Sequence, residues 1–243
     1  MRVKLLNKWK QYVSRIIICI LLFFLQNNAL LADDNVIYTI DFSGQENGSA
    51  ISWLKKNGFV FELDANELNP RFENDALVIS TENQVAGLFG LKFEPKNFIH
   101  GVKRVRITWG VNKYPKGVNW ESGVNSVPIA VMFSFGTKKF TSGLPLGIKA
   151  APYFLSAFIE EKEGLERMYI GKLWKQGGRY FSVGAGDQLG KTITTDFEID
   201  RKFKNAFNQK ETPPISAFAF QKNTNNTVGG SEAFIKEVQF LSE

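Results

Sequence analysis

Apolar residues at every second position recur from residue 36 to the C-terminus. A two-residue period puts one face of an extended chain in a core and the other outside, so it specifies strands. Val36, Tyr38, Ile40 and Phe42 share a face, with Thr39 and Asp41 opposite. Phe59, Phe61 and Leu63 repeat the pattern, as do Leu77 with Ile79, and Phe89, Leu91 and Phe93. Val105, Ile107, Trp109 and Val111 form another stripe, then Ile129, Val131, Phe133 and Phe135. Residues 153–160, 179–183, 215–221 and 233–241 continue it, and each run ends in Gly, Asn, Asp, Ser or Pro. Many short half-buried strands separated by turn residues predict a mainly β fold, an antiparallel β-sandwich or jelly roll. In the last run Ile235 and Val238 are three apart and Phe240 follows by two. A β-bulge near Lys236-Glu237 would restore the parity.

One segment breaks the alternation. Ile199, Phe203, Ala206 and Phe207 fall at i, i+4, i+7 and i+8, the stripe of one amphipathic helix over about residues 196–208. Thr195 and Glu198 have capping-box spacing, and Pro213-Pro214 bars continuation.

Residues 1–32 run from a basic head (Arg2, Lys4, Lys8, Lys10, Arg15) through an apolar stretch, Ile16 to Leu25, to small residues before Asp33-Asp34. That is the layout of a signal peptide, and the stretch falls short of the roughly 20 residues a spanning helix needs. The expectation is cleavage after Ala32, no stable membrane insertion afterwards, and a single β-sandwich domain, residues 33–243, in the periplasm or outside a bacterial cell. The leader holds the only cysteine, Cys19, so no disulfide would staple the remainder and its core must suffice. It also holds five basic residues. Removing them leaves 25 basic against 24 acidic residues, a balance that argues against a nucleic-acid partner.

Catalytic constellations are few. Asp196, Glu198 and Asp200 alternate, and on a strand they would resemble the carboxylate row of a β-sandwich glycoside hydrolase. On a helix they are first-turn acids that favour the macrodipole. His100 is the only histidine and sits before Gly101 at a turn; it cannot assemble a His-rich metal site. No catalytic residue, metal site or cofactor is assigned. Calcium is the one ion the loop Asn223, Asn225, Asn226 and Thr227 suggests, with Asp41 or Glu237 brought near, although calcium recruits more carboxylates than this loop offers.

Aromatic residues in polar loops carry the binding signal. Tyr114 and Trp120 lie in a Gly/Asn/Lys-rich loop, and Trp174 adjoins the Gly177-Gly178 turn. Such rings either form a rim on which sugar C–H faces stack or fold back to lid the core. For the rim, Tyr114, Trp120 and Trp174 would stack, and Asn119, Asn125 and Asn225 would read hydroxyls.

Three segments resemble the bacterial exported domain-of-unknown-function family 3047. They are Ile107-Thr-Trp109-Gly-Val-Asn-Lys-Tyr-Pro115-Lys-Gly117 leading to Phe133-Ser-Phe135, Phe203-Lys-Asn-Ala-Phe207, and Ile215-Ser-Ala-Phe-Ala-Phe220 with the Asn/Thr loop and residues 233–240. The resemblance implies a jelly-roll-like sandwich and brings no activity that could be transferred. Where the family pattern has aspartates in the loop after Phe220 and in the helix, this chain has Asn223, Asn225 and Lys202. The combined expectation is an exported non-catalytic binding module for a saccharide or cell-envelope glycan. The alternatives are an envelope-assembly factor that binds a protein, and a β-sandwich glycoside hydrolase.

Overall fold

The computed structural model describes residues 35–144, 149–161, 166–184 and 188–243. The expected leader, residues 1–32, lies outside them. Residues 36–243 pack as one unit. Its strands are β1 (Val36–Asp41), β2 (Gly48–Ser49), β3 (Val60–Leu63), β4 (Arg71–Glu73), β5 (Ala76–Thr81), β6 (Ala86–Lys92) and β7 (Arg104–Lys113), then β8 (Val127–Phe140), β9 (Ala151–Glu160), β10 (Arg167–Tyr169), β11 (Gly178–Gly184), β12 (Ile193–Phe197), β13 (Ile215–Asn223) and β14 (Ser231–Leu241). Among the described residues two α-helices interrupt them, α1 (Ile51–Lys56) and α2 (Ile199–Phe207).

The strands form two seven-stranded sheets. The first runs β12-β7-β14-β5-β4-β2, with β1 also on β14; the second runs β10-β11-β9-β8-β13-β6-β3. The fold is the predicted sandwich with one change: β11 inserts between β10 and β9 and pairs with β9 in parallel. The alternation in the sequence fills the space between the sheets. Trp109 and Phe240 come from the first sheet, and Phe133, Phe218 and Phe220 from the second; none is more than 1% exposed. Phe240 meets Phe133 at 5.8 Å and Phe218 at 5.7 Å between ring centroids, which ties the layers together. Each such ring contributes about 1.5–3 kcal/mol of burial.

The parity break in β14 is a bulge where it was expected. Pairing with β7 slips between Ile235 and Glu237, so Ile235 and Val238 both point inward and are fully buried. Leu63 departs from its pattern. It adopts φ 57° at the end of β3 and is 73% exposed, because the chain turns before a third inward position is reached.

The long helix begins three residues later than predicted. Thr195 and Asp196 stay extended in β12, paired with Ile107 and Arg106 of β7. The capping box does not form: Glu198 holds the cap position without a side-chain bond. A buried donor claims Thr195 instead. The Trp109 indole N–H donates to its Oγ1 at 3.0 Å, which a sealed indole needs more than the helix needs a cap. Trp109→Phe should therefore cost about 2 kcal/mol, read as a lower urea midpoint with unchanged slope. Helix α2 ends at Asn208, left-handed at φ 52°. Its inner stripe packs Phe203 on Phe135 at 4.7 Å and Phe207 on Tyr153 at 4.5 Å. Lys202 is nearly buried between the rings of Phe181 and Phe197 and pairs with Glu166. Helix α1 was not anticipated, because its six residues bury only Leu54 and carry no side-chain cap.

Candidate functional site

Strand β9 is buried on both faces. Leu155, Ala157 and Ile159 point between the sheets, and Phe154, Ser156 and Phe158 point out of the second sheet, yet none exceeds 2% exposure. Something must cover the outer face, and two loops do so. Residues 114–126 lay Trp120 flat on Phe158, at 4.5 Å and 16° between planes. Residues 170–177 bring Trp174 edge-on to Phe154 at 6.1 Å. Tyr180, next to Ser156 on β11, bridges them, at 5.5 Å from Phe154 and 5.2 Å from Trp120. Tyr169 of β10 closes the row at 5.1 Å from Trp120. The result is a continuous strip of six rings along the outer face. Tyr169 and Trp174 keep part of their surface exposed, and Tyr180 is mostly covered.

The predicted residues divide accordingly. Trp120 is 6% exposed and its indole N–H donates to the Ser126 carbonyl. It is the keystone of a second small core, packed against Phe158, Tyr169 and Tyr180, which corrects its assignment as a stacking residue: almost none of its surface is left for a ligand. Tyr114 packs against the core between the sheets, away from the strip, so it is not a rim residue either. Burial, with the nearby Glu161 carboxylate, pushes its hydroxyl up to about 12. Trp174 keeps free surface. It holds a left-handed backbone at φ 50°, uncommon for a bulky residue, because its carbonyl accepts from both Gly177 and Gly178 and its N–H donates to the Ser142 carbonyl. Its indole N–H donates to the Lys149 carbonyl.

The asparagines mostly build loops. Asn119 Oδ1 accepts from the Ser122 N–H, and Asn223 donates to the Asn125 carbonyl. Ser126 donates to the Asn225 carbonyl, joining the two loops at the Trp120 end of the strip. Asn119 and Asn225 are exposed there, beside Glu121, which accepts from Arg167 at 3.0 Å and Tyr169 at 3.3 Å. Trp174 lies at the other end, four β9 residues or about 13 Å away. Tyr169 and Tyr180 escape a reading that follows inward stripes only. The run Phe154-Leu-Ser-Ala-Phe158, apolar in both registers, was the signal that the outer face is covered as well.

Other constellations are closed. Asp196 sits on β12 and pairs with Arg106 at 2.8 Å; Asp200 lies in the first turn of α2 and binds Lys204 at 2.8 Å and Lys103 at 3.4 Å. Partial burial raises the Asp200 carboxyl, but the Lys204 bond and both lysine charges outweigh it and hold it below the usual carboxylate range. A carboxyl so held stays ionised and is no general acid. The cleft beside it, about 250 Å³ between Val102, Phe135 and Pro213, contains these same satisfied charges. His100 is an exposed turn residue. The Asn loop packs on Gln84 and Ser126, whereas Asp41 and Glu237 sit opposite each other in the β1–β14 ladder, about 20 Å along β14 from its start. The structure does not bring the suggested calcium ligands together. Among the described residues no three His, Cys, Asp or Glu side chains cluster as metal ligands, and no helix is long and apolar enough to cross a membrane.

Lys222 and Ser231 form a further pair. The lysine Nζ donates to the serine Oγ at 2.7 Å, the juxtaposition of a Ser–Lys nucleophile. Burial lowers the lysine to about 7, against the opposing charge of Glu232. Both residues lie between the sheets at 0% and 1% exposure, sealed from any substrate.

No protein-family profile matches this chain, and neither does any curated protein sequence. Solved structures align over most of its length. A variant of a family 29 carbohydrate-binding module is 10% identical, with TM-score 0.36, over 84% of this chain and 92% of that one. Endoglucanase 3 of Trichoderma harzianum, from family GH12, is 10% identical with TM-score 0.38, over 83% and 95%. A family 12 xyloglucanase from Bacillus licheniformis is 7% identical with TM-score 0.34, over 83% and 88%. Scores this low transfer no activity.

Proposed function

We propose that this protein is an exported, non-catalytic saccharide-binding module whose platform is the aromatic strip on the outer face of the second sheet. The observation that carries the proposal is the pair of partly exposed rings, Tyr169 and Trp174, at the two ends of the strip, with the mostly covered Tyr180 between them, fixed on a bed of buried ones. Sugar rings present apolar C–H faces, and rigid aromatic planes take them at low entropic cost. Trp120, Phe158 and Phe154 hold the exposed rings in place before any ligand arrives. Polar groups at the Trp120 end (Asn119, Asn225, Glu121 and Arg167) are positioned to read hydroxyls. The left-handed Trp174 adds support, since strain held at an exposed aromatic accumulates where a surface is shaped for a ligand.

The test is calorimetric titration of residues 33–243 with a panel of plant, fungal and bacterial-envelope glycans. At least one should bind, and Trp174→Ala and Tyr169→Ala should each weaken it about tenfold, with little change in melting temperature. Affinity unmoved by either substitution would reject the strip as the platform. The protein-partner reading keeps one specific support. Met168 and Ile170, at the edge strand β10, are 48% and 55% exposed. If it holds, Met168→Lys should release a co-purifying protein while glycan titrations stay flat.

A further inference from the structure

The ladder register of the second sheet turns its outer face into a grid. Tyr169 pairs with Tyr180, and Tyr180 with Ser156. Ser156 in turn pairs with Met132, Met132 with Ala219, Ala219 with Gly90, and Gly90 with Val60. Directly paired residues point to the same face, so a single row crosses all seven strands from β10 to β3. At roughly 4.8 Å between neighbouring strands the row is about 29 Å long. The two loops that carry the strip flank it. Trp120 lies on Phe158, two residues along β9 to one side of Ser156, and Trp174 meets Phe154, two residues to the other. Tyr180 fills the gap between them.

Beyond Ser156 no aromatic ring rises from the row. Met132, Ala219 and Gly90 are partly exposed, and Val60 is 54% exposed. Met132, Ala219 and Val60 join none of the apolar cores among the described residues. Gly90 admits no side chain: a Cβ there would lie 2.3 Å from the Phe218 carbonyl oxygen and 2.6 Å from the Ala219 Cβ. The floor is therefore low and flat. The rows on either side place Gln221 and Ser134 near its middle, and charges of both signs, Arg167, Glu62 and Lys92, at its ends. A second observation is independent of this shape. The Ser156 hydroxyl, on a residue 0% exposed and directed into the row, has no hydrogen-bond partner among the described residues. A buried hydroxyl is costly until a partner completes it. Its ladder neighbour Met132 is unbranched and turns aside readily, which opens Ser156 to a ligand on the floor.

We infer that the saccharide is an extended, uncharged polysaccharide bound along its length: the chain enters over Tyr169 and Tyr180 between the two loops and runs across the strands to Val60, with one of its hydroxyls bonded to Ser156. The inference rests on the reading of the strip as a saccharide platform and adds the form and direction of the ligand. A ribbon of sugar rings suits a flat floor with amide and hydroxyl groups beside it. A peptide strand does not, because it needs the free N–H and C=O groups of a sheet edge, and the strands under the floor are paired on both sides until β3. A folded partner needs large apolar anchors, of which the floor offers only Met132 and Val60.

The experiment is calorimetric titration of residues 33–243 with β-1,4-linked oligomers of glucose, xylose and N-acetylglucosamine, each as a di-, tetra- and hexasaccharide. For at least one sugar the hexasaccharide should bind about tenfold or more tighter than the disaccharide. Ala219→Gln raises the floor in mid-row, and Val60→Ser strips its exposed end without endangering the fold. Each should weaken the hexasaccharide, the first by about tenfold, and leave the disaccharide unchanged. Ser156→Ala should weaken the hexasaccharide by about threefold or more with no fall in melting temperature, since no bond within the protein is lost; a serine with a packing role alone would leave affinity untouched. Equal affinity at every length, or hexasaccharide binding that Ala219→Gln and Val60→Ser leave intact, overturns the crossing path and leaves the strip standing. Length-dependent binding that the floor variants weaken, and that Trp174→Ala and Tyr169→Ala do not, overturns the strip as the platform instead. Flat titrations with every oligomer overturn the inference, and a dimer that Val60→Ser dissolves in sedimentation would then make a second copy of this chain the occupant.

Discussion

Lys222→Met should raise the unfolding free energy, with the gain largest near pH 6 and fading by pH 10. In the native protein this lysine is fully buried and donates one hydrogen bond, to Ser231. An ammonium so placed has lost its hydration, and burial lowers the group from 10.5 to about 7. The sign follows from proton counting. Between about pH 7 and 10.5 the unfolded chain holds a proton on Lys222 that the folded chain has released, so stability rises with pH across that window. Below about pH 7 both forms are charged and the full cost of burying the charge is present. Methionine has similar length and no charge, so the substitution removes that cost; every tenfold loss of proton affinity on folding corresponds to about 1.4 kcal/mol. Ser231 would lose its donor, and a buried hydroxyl left alone costs about 1–3 kcal/mol. Lys222→Met combined with Ser231→Ala should therefore be the more stable variant. At the alkaline limit Tyr180, which burial holds at about 12, works the other way and caps the rise. The measurement is urea unfolding of native and variant protein at pH 6, 8 and 10. Parallel stability curves for the two would show that Lys222 does not titrate inside the fold.

Lys222 also marks the limit of what alternation can tell. It occupies an inward position on β13, two residues beyond Phe220, so the two-residue period assigns it to the core as firmly as the phenylalanines. A lysine there invites the opposite reading, that the strand has already ended. Alternation specifies which way a strand residue points, and it located the core and the β14 bulge, as the helical period located the inner stripe of α2. It does not specify what covers the outer face of a sheet. That depends on loops, whose conformation rests on contacts distant in the chain, such as Ser126 with Asn225 and Trp174 with Ser142. The loop tryptophans were therefore legible as unusual residues, and their division into Trp120 inside and Trp174 outside was not. The capping box failed for a similar reason. Thr195 and Glu198 have the right local spacing, but Trp109, 86 residues away, takes the threonine hydroxyl.

Trp120→Ala should behave unlike Trp174→Ala, although both are loop tryptophans near glycines. The Trp120 ring stacks on Phe158 at 4.5 Å, touches Tyr169 and Tyr180, and satisfies its N–H on the Ser126 carbonyl. Truncation would open a cavity between the loop and β9, at a cost of about 3–5 kcal/mol. The loop would then lose its reason to lie on the sheet, Phe158 would face water, and Tyr169 and Tyr180 would lose their lateral support. Global stability and ligand affinity should therefore fall together, even if Trp120 never touches a sugar. Trp174 makes one edge-on contact, with Phe154, and keeps free surface. Its removal should lower affinity and leave the melting temperature within a few degrees of the native value, since about 1 kcal/mol corresponds to a shift of roughly 2–4 °C in a chain of this size. Thermal melts beside glycan titrations of both variants decide the matter. If Trp120→Ala keeps native stability and loses affinity alone, its ring is a contact surface after all, and the description of the outer face as a closed second core is wrong.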